Sequence, residues 1–470
     1  MIDLMIVLAY LAITLIVGIK AGKNTNTMTE FSVAGRNYNT TVMVATTCAT
    51  LVASEDVMYA SQKVFEIGIL YTLVALGIPL AAFITAYFVI PRFAYIPYKK
   101  YISVGELIGS FYGEKAQIIT GLAATLRSIG VIGGQVCAIG YCCDYFLGLS
   151  HFTGVILGAG ILTVYSAFGG VKSVTLTDVI QFGMLLVIIP VTASIGVEIF
   201  GWKSFLAHLP PGHLSLSIPE GKSAWDYISL FIILSMPGLG PCLIQRFLMS
   251  RNTAQMKEFM KITGLLGILF LFSITMIGLT VLVMAPEVEP SKVFPYFVNQ
   301  LLPVGIRGFA IAGMLAVIMS TADSFLNTAS ICLVHDVLGP LSKNTIDDKT
   351  QLKLTRYVTV AIGMSSIFAT LTHHNIMDIV LIFGSFWLPV VTVPLFLTLW
   401  NFKGSSQGFI AASMSGLATA LGFMVANSSF GFGGLVPGMV VNLVVFVVVS
   451  KLTRKKRVDP VPMDFNVVEA

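Results

Sequence analysis

Apolar runs of about twenty residues or more recur along this chain, separated by short polar or glycine- and proline-rich breaks. As a helix, a run of that length crosses a hydrocarbon layer roughly 30 Å thick. Reading runs and breakers predicts thirteen spans, at 2–20, 41–66, 67–95, 117–147, 150–168, 173–200, 225–249, 258–285, 306–337, 352–372, 376–400, 406–426 and 433–451. The expected fold is an all-α polytopic membrane protein. The first run carries Asp3 where a secretory leader would be basic, and it shows no clear cleavage site, so it reads as a retained span.

Two spans are poorly made as straight helices. The second reads TTCATLVASEDVMYASQKVFEIG (46–68), a small, hydroxyl-rich half followed by Ser54, Glu55 and Asp56 and then a second half. Adjacent carboxylates are too costly to face lipid. The seventh contains Pro237, Gly238, Gly240 and Pro241, which remove donors and favour unwinding. These spans lie five apart, so spans 2–6 and 7–11 are expected to be inverted halves, each opening with a broken helix around a midplane site. The corresponding division is 1–40 (first helix and loop), 41–200 (first repeat), 201–224 (loop), 225–400 (second repeat) and 401–470 (two further helices and a basic tail).

The ninth span places Val317, Ser320, Thr321, Ser324, Asn327 and Thr328 on about a third of its circumference, with Asp323 flanking that face. Single hydroxyls usually bond their own i−4 carbonyls or glue helices together. Five polar groups beside a carboxylate suit a hard cation instead, with carbonyls of an unwound second span completing the shell. Asp178, two turns into the sixth span, is a further candidate for ion binding or helix pairing.

Composition sharpens this picture. Hydrophobic residues make up 56% and charged residues 11%, with a mean hydropathy of +0.87. If the N-terminus lies outside, twenty-two Lys and Arg face inward, Arg246 among them, and five face outward. That bias orients the chain with its C-terminus in the cytoplasm of a plasma (inner) membrane. The net charge of +5 then reflects topology rather than a nucleic-acid partner, and the KLTRKKR tail anchors beside anionic lipid. The six cysteines fall within apolar runs and read as packing thiols, and the histidines form no ligand cluster.

Taken together, FSVAGRN (31–37), SAFGGVKSVTLTDVIQ (166–181), CLIQRFLMSRN (242–252), MLAVIMSTADS (314–324) and FGSFWLPVVTVPLFLTLW (383–400) resemble the sodium:solute symporter family. The resemblance covers most of the chain. It implies a leucine-transporter-like 5+5 inverted-repeat core, sodium as the coupling ion and alternating access. It also implies a sodium site at Ser54 and Val57 (or Ala53 and Asp56, one residue away) with Val317, Ser320 and Thr321. Some members bind a second sodium, which implies Asp178, Ser320, Asp323 and Ser324 here; Asp323 stands where sialic-acid-type members carry a hydroxyl.

Proline- and pantothenate-type members carry a Gly-Trp pair after the break, and this chain has Tyr59 without a tryptophan. The candidate substrate residues are Glu55, Asp56, Tyr59, Gln62, Arg127, Gln135 and Trp387, with Lys63, Tyr71 and Phe386 nearby. Arg127 suits a carboxylate clamp or an internal ion pair. An amino acid or small organic acid is therefore preferred as cargo over a sugar. Proton coupling, a channel and a sensor on the same scaffold are the alternatives. No catalytic residues are assigned, and a monomer is expected.

Overall fold

The computed structural model describes residues 1–51, 54–219, 221, 223–342, 346–372, 383, 384, 386–426 and 434–453. These residues are helical or irregular throughout, with no strand among them. The long elements are α1 (Ile2–Gly22), α2 (Thr40–Leu51), α3 (Ser54–Ile67), α4 (Ile69–Phe93), α5 (Glu114–Leu147), α6 (His151–Gly169) and α7 (Val171–Phe200). They continue as α8 (Ala224–Ser235), α9 (Pro241–Met249), α10 (Thr253–Met284), α11 (Ile306–Leu341), α12 (Asp348–Thr372), α13 (Leu388–Leu399), α14 (Ser406–Ala426) and α15 (Leu435–Leu452). Nine of the described helices are individually long and apolar enough to cross a membrane. The pairs α2/α3 and α8/α9, with α12 and α13, make up the remaining spans. The first half of the eleventh span lies outside the described residues.

Helix limits follow local chemistry. Ser150 caps α6 by accepting from the Thr153 N–H at 3.2 Å, and Asn252 caps α10 by accepting from the Gln255 N–H at 2.8 Å. Between α8 and α9 the chain is extended at Met236 (ψ 133°) and Gly240 (ψ 160°), and α9 then starts on Pro241, where the missing N–H costs nothing. The seventh span is thus broken where its prolines and glycines lie.

Burial sorts centre from periphery. In α11, 89% of the apolar window is buried in protein, against 22% in α1, so α11 is the axis of the bundle and α1 faces outward. The polar face predicted on the ninth span is therefore interior: Ser320, Thr321, Asp323, Ser324, Asn327 and Thr328 are all buried. At the end carrying the basic loops, Arg36 donates to the carbonyls of Leu248 (2.9 Å) and Tyr101 (2.7 Å). There the Gln245 amide also donates to those of Ser32 (2.6 Å) and Ile102 (3.0 Å). These bonds clamp α9 against the loops that follow α1 and α4.

The crossing of α1 and α6 is set by small residues. A Cβ on Gly22 would come 2.4 Å from the Gly169 Cα, and one on Gly18 would come 2.7 Å from the Tyr165 Cβ. This close approach brings Tyr165 toward α11. Gly22→Ala is expected to destabilise the protein by about 1–3 kcal/mol through overpacking. Gly160→Ala, on the same α6 but with open space around it, should be neutral or slightly stabilising. Thermal unfolding of the purified variants checks the pair.

Candidate functional site

The end of α2 meets the middle of α11. The Ala49 carbonyl lies near the last described residue of α2. The Ser320 hydroxyl is 2.8 Å from it and 2.9 Å from the Val317 carbonyl. The Thr321 hydroxyl reaches the same Val317 carbonyl at 3.2 Å. Two carbonyls and two hydroxyls, one from each of four residues, therefore converge in a buried spot. Such hard oxygens suit an alkali cation.

Ser54 and Val57 are placed differently from the expectation. The backbone is helical from Ser54 onward, which puts their carbonyls in the ladder of α3. Val57 and Val317 share a small apolar cavity with Leu185, Ile277, Phe297 and Met314. The carbonyl that Ser320 reaches belongs to Ala49, five residues upstream of Ser54. Ala53 and the side chain of Asp56 lie outside the described residues.

One turn farther along α11, a second polar cluster surrounds Arg246 of α9. Its Nη2 lies 2.5 Å from Ser324 Oγ, 2.8 Å from Thr50 Oγ1, 3.2 Å from Thr46 Oγ1 and 3.4 Å from Asp178 Oδ2. Thr46 also donates to Asp178 at 2.5 Å, and Thr50 is 3.1 Å from Ser324. Arg246 and Asp178 are both buried, at 1% and 0% side-chain exposure, so Arg246 is not a loop residue of the basic side. Asp323 is separate: Tyr165 donates to its Oδ2 at 2.5 Å, and Thr177 lies 3.5 Å away. Asp178 and Ser324 are thus brought together, Ser320 bonds toward α2, and Asp323 turns toward α6 and α7.

The candidate substrate residues divide into two groups. Trp387 is buried and donates from Nε1 to the Leu239 carbonyl at 3.2 Å, inside the break between α8 and α9. Arg127 lies beside Gly384, three residues before Trp387. Gln135 is buried two turns farther along α5. The other group sits on α3. Tyr59 is 43% exposed and packs edge-on to Tyr71 at 6.0 Å, while Gln62 donates to Glu66 at 2.9 Å and Lys63 pairs with Glu66 at 2.6 Å. Gln62 is thus held by its own helix. The side chains of Glu55 and Asp56 lie outside the described residues.

The profile of the sodium:solute symporter family matches residues 31–416. The chain belongs to that family. A sodium/proline symporter of Staphylococcus aureus is 26% identical over 95% of this chain and 92% of its own length. The structure of a Na+-coupled sialic acid symporter superposes with a TM-score of 0.84 at 19% identity, covering 98% of this chain and 99% of that one. MhsT in complex with L-phenylalanine superposes at 0.55 and 16% identity, covering 87% and 98%. The 5+5 inverted-repeat fold is therefore that of this symporter, and sodium is its coupling ion.

Sequence reasoning missed two parts of the symporter's buried centre. Ala49 contributes a backbone carbonyl, which no side chain advertises. Arg246 lies next to a basic loop, and its position one turn before the end of a short half-helix was the available signal. Tyr165→Phe removes the donor to Asp323 and leaves that buried carboxylate under-satisfied. We expect a loss of about 1–3 kcal/mol, read as a lowered unfolding temperature in detergent.

Proposed function

We propose that this symporter imports a small carboxylate-bearing solute, an amino acid or small organic acid, together with sodium held by the Ala49 and Val317 carbonyls and the Ser320 and Thr321 hydroxyls. The observation that carries the ion site is the approach of Ser320 to the Ala49 carbonyl at 2.8 Å, which joins a helix of the first repeat to one of the second. A cation at that junction favours the arrangement in which α2 and α11 touch, and its release favours their separation. Sodium binding thereby biases alternating access. One sodium moving down about 100 mV releases roughly 2.3 kcal/mol before its concentration term, enough for well over tenfold accumulation. The basic loops are read as cytoplasmic, with the N-terminus outside the plasma (inner) membrane.

The carboxylate preference rests on the region around the break of the seventh span. Arg127 stands beside Gly384, and the N-terminal end of α9 opens at Gly240 and Pro241. A guanidinium and a helix N-terminus both favour an anion, and half-helix N-termini in broken spans are suited to substrate carboxylates. Trp387, bonded to Leu239, would wall the same space.

A thermal-shift screen of purified protein against amino acids, organic acids and sugars, with and without sodium, identifies the cargo. Stabilisation by a carboxylate-bearing solute only when sodium is present is the expected result. Stabilisation by sugars alone would reject the carboxylate preference. With the solute in hand, Ser320→Ala and Thr321→Ala should each raise the sodium concentration for half-maximal vesicle uptake about tenfold, or roughly 1.4 kcal/mol. Uptake indifferent to sodium in all three proteins would reject the site.

A further inference from the structure

Where α4, α8 and α10 meet, the surface carries a trough that lies apart from the buried polar centre. We propose that this trough binds one anionic glycerophospholipid, with the headgroup phosphate on Lys257 and Lys261 and an acyl chain laid between the three helices.

Helical periodicity builds the trough. On α4, Leu73, Leu76, Leu80, Phe83 and Tyr87 are spaced three and four apart and so share one stripe. On α10, Lys257, Lys261, Gly264 and Ile268 follow the same spacing, within about 60° of the helix circumference. The two stripes meet along their length. Lys257 Nζ lies 4.9 Å from the centre of the Tyr87 ring, a Cβ on Gly264 would come 2.9 Å from the Phe83 ring, and Ile268 lines a cavity with Leu76 and Leu80. The third side is α8, through Tyr227, Ile228 and Phe231. It touches α4 at Gly77, where a Cβ would come 2.8 Å from the Phe231 carbonyl oxygen.

Three properties choose the occupant. The first is the wall. The cavity holds about 610 Å³ between apolar side chains, and Leu73, Leu80 and Ile228 are exposed along it, so in a bilayer it opens on hydrocarbon rather than water. The second is charge. At the end carrying the basic loops the same trough turns basic: Lys257 and Lys261 are partly buried, and among the described residues no carboxylate pairs with either. Glu258 lies about a quarter-turn off their stripe. A lysine laid on an aromatic face keeps its stem packed and its ammonium at headgroup level, where an anionic lipid supplies the missing charge. The third is length. Leu73 and Tyr87 are fourteen residues apart on α4, about 21 Å, which is half of the roughly 40–45 Å that a bilayer spans with its headgroups. One leaflet's lipid therefore fits from phosphate to chain end. Since α4 belongs to the first repeat and α8 and α10 to the second, a lipid seated there braces the first half of the broken seventh span against the other repeat.

Native mass spectrometry of the full-length protein tests this, with dioleoyl phosphatidylglycerol or dioleoyl phosphatidylcholine titrated in and the affinity of the first bound lipid measured. Arg454→Gln, Lys455→Gln, Lys456→Gln and Arg457→Gln are made in every protein, so that the basic tail does not contribute. Phosphatidylglycerol should bind more tightly by roughly fivefold for each lysine, about twenty-five-fold in all. The Lys257→Gln, Lys261→Gln double variant should bind the two lipids alike. Leu80→Trp, which fills the trough from an exposed position, should weaken both lipids by about tenfold while the lysines remain. Glycerol phosphate, which has the charge without the chains, should displace neither lipid. Equal affinity for the two lipids in the parent protein overturns the proposal, as does either variant binding phosphatidylglycerol as the parent does. Displacement by glycerol phosphate would mark a site for free phosphate and overturn the lipid assignment.

Discussion

Inside a bilayer neither water nor lipid can satisfy a polar group, so contacts between helices must do so. Where α2 meets α11, the Ser320 hydroxyl lies 2.8 Å from the Ala49 carbonyl. The rest of the molecule holds these two elements in register. Because α11 is buried on nearly all sides, its hydroxyl face can be aimed at a neighbour rather than at lipid. The glycine contacts of α1 with α6 hold Tyr165 over Asp323, and the clamp at the basic end fixes α9.

Buried charge is the second constraint. A carboxylate such as Asp178 persists in the interior only with a counter-charge and hydrogen bonds. Arg246 supplies the charge, and Thr46 the bond at 2.5 Å. Placing the arginine on a nine-residue half-helix makes the ion pair a junction between the two repeats rather than a feature of one. Rearrangement of α9 relative to α2 and α7 must therefore keep this pair intact or replace its partners, which limits the paths that motion between the repeats can take.

How much of this was legible in the sequence depended on whether the signal was a side chain or a backbone group. The apolar runs gave the spans, and Pro237 through Pro241 marked a break that the structure has at Met236–Gly240. The hydroxyl face of the ninth span was readable because helical periodicity collects its residues on one side. The family resemblance implied an ion site at Ser54 and Val57, where α3 is helical, and the carbonyl that Ser320 reaches is that of Ala49. Which backbone carbonyl a neighbouring hydroxyl reaches depends on how two helices cross, and residue type specifies that poorly. Arg246 was misread for a related reason. Its basic neighbours are Arg251 in the connection to α10 and Lys257 and Lys261 in the first turns of α10, and only the three-dimensional placement of α9 separates a buried guanidinium from an interfacial one. Gln62, by contrast, has its partner Glu66 four residues away on the same helix face, a relation the spacing alone contained.

The chemistry of hydroxyls explains why Ser320 and Thr321 suit this junction better than carboxylates would. A hydroxyl can donate to a carbonyl or turn its lone pairs toward a cation, so the same side chain satisfies the backbone in either role. A carboxylate at position 320 would face the Ala49 carbonyl oxygen acceptor to acceptor, and could approach it only with a cation or a proton between them. In the proposed sodium site, the contacts of Ser320 and Thr321 to Ala49 and Val317 would be exchanged for ion ligands, one set of polar interactions replacing another. The charged groups Asp178, Asp323 and Arg246 lie about one turn farther along α11, at the level of Asp323 and Ser324. At the proposed site, that separation would let electrostatics attract the ion while neutral oxygens bind it, the condition under which a site can release its ion as well as capture it.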